Sequence, residues 1–324
     1  MSEPLHDAPE PTGAHESKPH VSAATRRGMH DLLDALATAP TGEAGAGGAA
    51  HGYRPGRTLS IGVEIRRQIG RRRTQFAFGL LAILPIILAV AFQFSSGSGD
   101  GAPALVDLAT AGAGNFALFA EFASVGFLLV VIVALFCGDT VAGEASWSTL
   151  RYLLAAPVPR ARFLRTKLAV ALILSFGANL LLPIWSYVIG GLFYGWGPVR
   201  SPTGDTFPFA TAVGRLAIIA GYASLSALVV AALAFLLSVL TDAPLGAVGG
   251  AVMLVVLSNI LDSITALGSL RDYLPTHFQF AWLDALQTPV VWSAMSRGAA
   301  TSIAYAAVMF GIAFWHFGRK DITS

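Results

Sequence analysis

Six long runs of apolar residues dominate the chain from residue 76 onward. They cover residues 76–94, 116–137, 168–194, 213–240, 246–268 and 298–317. Each approaches or exceeds the ~20 residues that an α-helix needs to cross the hydrocarbon core of a bilayer. Because lipid offers no hydrogen-bond partners to the backbone, runs of this kind must be helical. The pattern predicts an all-α integral membrane protein with six transmembrane helices.

A shorter amphipathic segment precedes the first run, at residues 58–73. Three isoleucines form an apolar stripe on it, Ile61, Ile65 and Ile69. Arginines, including Arg66 and Arg67, occupy the other faces. A basic helix with one apolar stripe is typical of the lipid headgroup boundary, so we predict an interfacial helix in contact with the bilayer.

The first 57 residues differ from the rest of the chain. They are rich in Pro, Gly, Ala, Ser and His and hold no apolar run long enough for a signal peptide. Five of the seven histidines lie here, without the spacing of metal ligands. We interpret residues 1–57 as a disordered cytoplasmic arm and residues 58–324 as the six-helix membrane domain.

A polar and aromatic segment at 269–297 separates the last two apolar runs. It is interrupted by Pro275 and Pro289, and five aromatic residues are spread along it, namely Tyr273, Phe278, Phe280, Trp282 and Trp292. Aromatic side chains among polar residues are typical of the membrane–water interface. We predict short interfacial or re-entrant helices on the outer side of the membrane.

The composition agrees with a bilayer as solvent. Hydrophobic residues make up 54% of the chain and charged residues 12%, about half the ~25% of soluble domains. A net charge of +2 gives no indication of nucleic-acid binding. The preference for Arg over Lys, with abundant Ala and Gly, favours a bacterial chain and hence the bacterial inner membrane.

Lysine and arginine are unequally distributed between the two sides that six spans define. The richer side holds Arg66, Arg67, Arg71, Arg72, Arg73, Arg151, Arg160, Arg162, Arg165, Lys167, Arg319 and Lys320, and the poorer side Arg200, Arg215, Arg271 and Arg297. Because cytoplasmic loops carry the excess of positive charge, this distribution predicts that both termini and the 138–167 loop are cytoplasmic.

Motifs for enzymatic chemistry are absent from the sequence. The three lysines, Lys18, Lys167 and Lys320, do not occur in the Gly-Lys-Ser/Thr context of a phosphate-binding P-loop. His-Glu-x-x-His and Gly-x-Ser-x-Gly are also missing. We therefore expect no catalytic residue, no metal site and no cofactor bound directly by this chain.

Two polar residues within the apolar runs are candidates for a translocation path. Glu121 lies six residues into the second run and Asn179 near the middle of the third. Polar groups inside a membrane are costly and often line a substrate pathway. Hydrogen bonding between helices is an equally good interpretation at this point.

The loop between the second and third runs contains a short predicted helix, from about Gly143 to Ala155, which Pro157 and Pro159 end. Glu144 lies in its first turn, where a negative charge suits the helix dipole. Leu150, Leu153 and Leu154 form an apolar face. An apolar face on a water-exposed loop indicates a protein partner.

This loop resembles the cytoplasmic loop of ABC transporter permeases of the type-2 exporter class. The matching positions are Asp139, Glu144, Thr149, Leu150, Leu153, Leu154, Pro157, Val158, Arg160 and Lys167. Ser148 departs from the family, which commonly has Gly there. The ending at residues 317–322, the six runs and the basic entry helix extend the resemblance over residues 58–324.

The resemblance implies a transmembrane exporter subunit that pairs with a second copy or a sister permease. It also implies two separate ATPase subunits, which would bind ATP and Mg²⁺. The loop helix would then be a coupling helix, with Glu144, Thr149, Leu150, Leu153, Leu154, Arg160 and Arg162 as the coupling residues. The alternatives are an ion-coupled secondary transporter, for which we find no internal repeat, a membrane-embedded enzyme, and a scaffold or channel subunit.

Overall fold

A computed structural model describes residues 60–95, 104–146, 159–201 and 204–319 of the chain. The N-terminal arm and residues 147–158 of the predicted coupling loop lie outside these ranges. The helices are α1 Ile61–Ile69, α2 Arg72–Ser95, α3 Ala104–Ala109, α4 Ala113–Val125, α5 Leu128–Gly138, α6 Ala142–Ser146, α7 Arg160–Tyr194, α8 Phe209–Leu240, α9 Pro244–Ser263 and α10 Ser293–Arg319. Strands β1 (Val199–Arg200) and β2 (Thr206–Phe207) precede α8, and two 3-10 helices, Thr265–Tyr273 and Ala281–Leu286, lie between α9 and α10.

Five of these helices are long and apolar enough to cross a membrane: α2, α7, α8, α9 and α10. The second apolar run forms a bent pair instead of one helix, because α4 and α5 meet at an angle of 58° across Gly126 and Phe127. If that pair is one span, the count is the predicted six. The chain therefore has the helices of a multi-pass membrane protein.

The long helices run alternately in opposite directions. Near one end of α7, the Ala113 amide of α4 donates to the Gly195 carbonyl at 2.9 Å. At the opposite end of the bundle, the Val141 amide after α5 donates to Ser238 Oγ of α8 at 3.0 Å. We name the end with β1 and β2 the hairpin end, and the end where α7 begins the charged end.

Helix α7 packs against α1, α2, α4, α5, α8 and α10. Its 35 residues extend over about 52 Å, well beyond the ~30 Å hydrocarbon core, so its first turns reach past the apolar region. A Cβ atom at Gly190 of α7 would lie 2.8 Å from Phe116 Cβ of α4. A larger residue at this position would separate the two helices, so glycine permits their close contact.

The hairpin end contains a small antiparallel sheet that the sequence pattern did not predict. Val199 pairs with Phe207, and Gly204 provides the positive φ of 94° that the turn requires. Asn115 fixes the hairpin to α4, since its amide donates to the Arg200 carbonyl at 2.7 Å and accepts from the Arg200 amide at 2.9 Å.

The fifth apolar run stops being helical earlier than predicted. Helix α9 ends at Ser263, five residues before the predicted limit, because Ile264 has extended backbone angles. The two 3-10 helices that follow leave Tyr273 and Trp292 exposed but bury Trp282 to 1% exposure. Trp282 packs inside the protein, whereas the sequence analysis had grouped it with interfacial aromatic residues.

Candidate functional site

Helix α1 turns polar side chains toward the rest of the protein. Glu64 and Gln68 are buried, whereas Ile61 and Ile69 are 46% and 48% exposed. The Gln68 amide donates to Glu64 Oε1 at 3.1 Å and helps to orient that carboxylate. The two ends of the predicted apolar stripe therefore face outward, where an interfacial helix would contact lipid, whereas its middle member, Ile65, is partly buried against the hydrophobic core. The Glu64 carboxylate faces inward.

Lys167, eight residues into α7, is the most deeply buried cation at the charged end. Its side chain is 2% exposed, and its Nζ donates to Glu64 Oε1 at 2.7 Å and to Glu144 Oε1 at 2.8 Å. The ammonium group thus joins α1 to α6. A buried cation requires such partners because leaving water costs it several kcal/mol.

Glu144, in the short helix α6, accepts from three cations through one oxygen. In addition to Lys167, Arg67 Nη2 lies 2.7 Å and Arg71 Nη2 3.1 Å from Glu144 Oε1. Partial burial lowers the pKa of the Arg67 guanidinium, but the charges and hydrogen bonds of Glu144 and Glu64 together outweigh it, and the net direction of the pKa is upward. The helix-dipole role inferred from the sequence is only part of what holds Glu144.

Asp139 follows the last residue of α5 and forms the second centre of negative charge. Its carboxylate accepts from Arg71 Nη1 at 2.9 Å and from Arg73 of α2. Burial raises the pKa of the Asp139 carboxyl above its ordinary value, and the two guanidinium groups offset part of that rise. Asp139 therefore depends on these arginines to remain charged.

We name these seven side chains the charge network: Glu64, Arg67, Arg71, Arg73, Asp139, Glu144 and Lys167. It connects α1, α2, the end of α5, α6 and the start of α7 through four cations and three carboxylates. Interlocked ion pairs favour one arrangement of their helices, since displacing one member leaves another charge buried and unpaired. The network can therefore transmit a displacement of α6 to α1 and α7.

The other predicted coupling residues lie near this network along the chain. Arg160 and Arg162 are in the first turn of α7, and α6 leads directly into residue 147. Thr149, Leu150, Leu153 and Leu154 lie outside the described residues. The segment between α6 and α7 is therefore anchored on both sides by network members, Glu144 and Lys167.

The two candidate path residues are both buried in the bundle. Glu121 of α4 is 1% exposed, and neither of its carboxylate oxygens has a hydrogen-bond partner among the described residues. Asn179 of α7 is also 1% exposed, and its amide donates to the Ser175 carbonyl at 2.9 Å. Asn179 lines a cavity of about 280 Å³ between α7 and α8, together with Ser175 and Ser224, whereas Glu121 does not line it.

Several network residues were not identified as site residues from the sequence. Glu64 was not selected from the sequence at all, and Asp139 and Lys167 were selected only as positions that match the ABC permease resemblance. A usable signal existed, since Glu64, Glu121 and Glu144 are the only glutamates after residue 57, and Asp139 and Glu144 closely follow the second apolar run. What the sequence lacks is the partner of each charge, because five of the seven ion pairs join residues 66 to 103 positions apart.

The described residues show no arrangement suited to a metal ion, as no group of three or more His, Cys, Asp and Glu side chains converges among them. The charge network has only nitrogen donors and carboxylate acceptors that already bond to one another. Its chemistry is that of a structural and mechanical connection.

The apolar helices and the charged end define the class, a multi-pass α-helical membrane protein with a buried ion-pair network at one end of its helices. The chain belongs to the family described as protein of unknown function DUF2705, whose model matches residues 82–323. No curated protein matches the chain.

Proposed function

We propose that this chain is the transmembrane subunit of an ATP-driven exporter in the bacterial inner membrane, with its charged end in the cytoplasm. Separate ATPase subunits press on the 147–158 segment, and the charge network carries that displacement into the membrane helices. A second copy or a sister permease completes the translocation path.

The charge network is the observation that carries this proposal. Glu144 and Lys167 flank the proposed coupling segment and contact each other at 2.8 Å, so movement of the segment acts directly on α7. Glu64 extends the connection to α1, whose exposed isoleucines suit the membrane surface. A force-transmitting loop needs such a rigid base, because a flexible attachment would dissipate the movement.

The cavity at Asn179 is our candidate for part of the path. It lies between two long helices, and none of the described residues that line it is charged. Its polar groups, Ser175, Asn179 and Ser224, are separated by apolar surface. This lining suits a mostly apolar cargo that makes few hydrogen bonds.

Co-purification tests the proposal directly. A tagged full-length chain extracted from its native membrane should bring an ATPase subunit with it, and the complex should hydrolyse ATP whereas the chain alone should not. Replacing Leu150 and Leu154 by Asp should abolish recovery of the ATPase while leaving the chain in the membrane. Serine at the same two positions is the matched control for the added charge.

Glu121 favours a second candidate function, an ion-coupled carrier. A buried carboxyl group without a protein partner is a group on which a carrier can bind a proton or a cation. In that case the chain reconstituted alone would transport with an ion gradient, Glu121→Gln would abolish transport, and the Leu150 and Leu154 variants would have no effect. That outcome would overturn the exporter proposal.

A further inference from the structure

A second cavity, of about 220 Å³, lies at the hairpin end. Its walls come from α3, α4 and the second 3-10 helix, and most of its lining is Leu and Phe. Three of those apolar residues, Leu105, Phe122 and Leu283, are between 39% and 59% exposed. Exposed apolar side chains therefore border this cavity at the protein surface.

The polar groups of this cavity include two unused hydrogen-bond donors. Trp282 is 1% exposed, and its indole Nε1–H has no hydrogen-bond partner among the described residues. Arg200 also lines the cavity. In the described part of the chain, its hydrogen bonds are made by its backbone carbonyl and amide, both with the Asn115 side chain. The guanidinium is thus available, and among the described residues no carboxylate lines the cavity to neutralise it.

These features define the chemistry of an occupant. An apolar chamber requires an apolar body, and donors without an opposing acceptor require acceptor oxygens, with a negative charge opposite the arginine. The exposed apolar residues at its border suit an occupant that enters from the bilayer. An anionic phospholipid combines all three, since it has an acyl chain, ester carbonyls and a charged phosphate.

We infer that this cavity binds one anionic phospholipid. The acyl chain lies against Leu108, Leu118 and Phe119, an ester carbonyl accepts from Trp282 Nε1, and the phosphate pairs with Arg200. Asp107 and Asp284 lie on the same elements but do not line the cavity, so they do not oppose the phosphate inside it. The inference depends on the hairpin end and not on the proposed exporter function.

Photo-crosslinking of the full-length chain in detergent tests this inference. The probe is a phosphatidylglycerol with a diazirine on its acyl chain, and mass spectrometry locates the adduct. We expect labelling in α3, α4 or the second 3-10 helix, competed by unlabelled phosphatidylglycerol at least tenfold better than by phosphatidylcholine. Inorganic phosphate at the same concentration should not compete, which separates a lipid site from a phosphate site.

Matched variants identify the groups involved. Arg200→Gln should weaken binding about tenfold and remove the preference for the anionic lipid, whereas Arg200→Lys should retain much of it. Trp282→Phe keeps the aromatic ring and removes only the donor, so it should weaken binding by about two- to tenfold. Arg297→Gln changes an exposed cation at the same end and should have no effect.

Three outcomes would overturn the inference: equal competition by both lipids, labelling of Arg200→Gln equal to that of the original chain, or adducts confined to other helices. A crosslink from this cavity to a second copy of the chain would also overturn it, since the cavity would then be a subunit interface. If a variant fails to remain monodisperse, lipid competition against the unmodified chain decides alone.

Discussion

Replacing Lys167 by methionine removes the buried cation that joins α7 to α1 and α6. Methionine keeps a similar length and apolar stem, so the change is mainly the loss of the ammonium group. Glu64 and Glu144 then face each other without the nitrogen that lies within 2.8 Å of both. We expect a substantial loss of stability at the charged end.

The magnitude follows from the contacts that survive. Removing one partner of a buried ion pair costs about 3–5 kcal/mol. Glu144 retains Arg67 and Arg71 at 2.7 and 3.1 Å, whereas the nearest arginine contact of Glu64 is 3.5 Å. Glu64 therefore bears most of the cost, and we expect about 3 kcal/mol, the lower end of that range.

Thermal unfolding of the detergent-purified chain measures this loss of stability. It is monitored as the loss of the monodisperse peak in size-exclusion chromatography. At roughly 2–4 °C per kcal/mol, the melting temperature should fall by about 10 °C. Arg165→Met is the control, because Arg165 is an exposed cation two residues away on the same helix. It should change the melting temperature by less than 2 °C, on the order of 0.5 kcal/mol for a surface substitution.

A double-mutant cycle with Glu144→Gln decides whether the two residues act together. If they are coupled through the network, the double variant should lose at least 1 kcal/mol less than the sum of the single losses. Additive losses, or a Lys167→Met chain as stable as the Arg165→Met control, would refute the interlocked network.

Three further predictions concern other parts of the molecule. In a chain without its native cysteine, a cysteine that replaces Asp107 should react with an impermeant thiol reagent in intact cells, and one that replaces Arg165 only after permeabilisation. The reverse labelling pattern would show that the topology is inverted. Glu121→Gln should leave thermal stability unchanged or raised, since it removes an unpartnered carboxylate, and a clear fall in melting temperature would reveal a missed partner. His277→Ala should destabilise the chain by about 1–3 kcal/mol in thermal unfolding, because its ring lies between the carboxylates of Asp262 and Asp272 at 2.5 and 3.3 Å; an unchanged melting temperature would show that these contacts are not used.

Much of the membrane architecture could be predicted from the sequence, because it depends on length and hydrophobicity alone. The predicted runs correspond to five long helices and one bent pair. The bend between α4 and α5 was not predicted, because Gly126 alone does not distinguish it, since glycine is also frequent in straight membrane helices. The β1–β2 hairpin was missed for a related reason: its strands have two residues each, too few for a periodic pattern.

The candidate site was predictable in part. Glu144 was identified through its position in the loop, but its three cationic partners come from α7 and from the α1–α2 region. Arg67 was assigned to the lipid headgroups on the same reasoning that applies to every basic amphipathic helix. Amphipathic periodicity assumes that the polar face of a helix meets a uniform environment. It cannot reveal that one neighbour of that face is a carboxylate of the same protein.

The direction in which α1 faces changes how its role is understood. A helix held at the membrane only by its isoleucines could slide or tilt independently of the bundle. Glu64 opposes this movement. If α1 moved away, the Lys167 side chain, which is only 2% exposed, would keep a single carboxylate partner, Glu144. Helices α1 and α7 should therefore move together when the segment between α6 and α7 is displaced. In the proposed exporter, α1 would then keep the charged end at a fixed depth in the membrane while the path opens, and the Lys167→Met chain should lose coupling of transport to ATP hydrolysis even at temperatures where it remains folded.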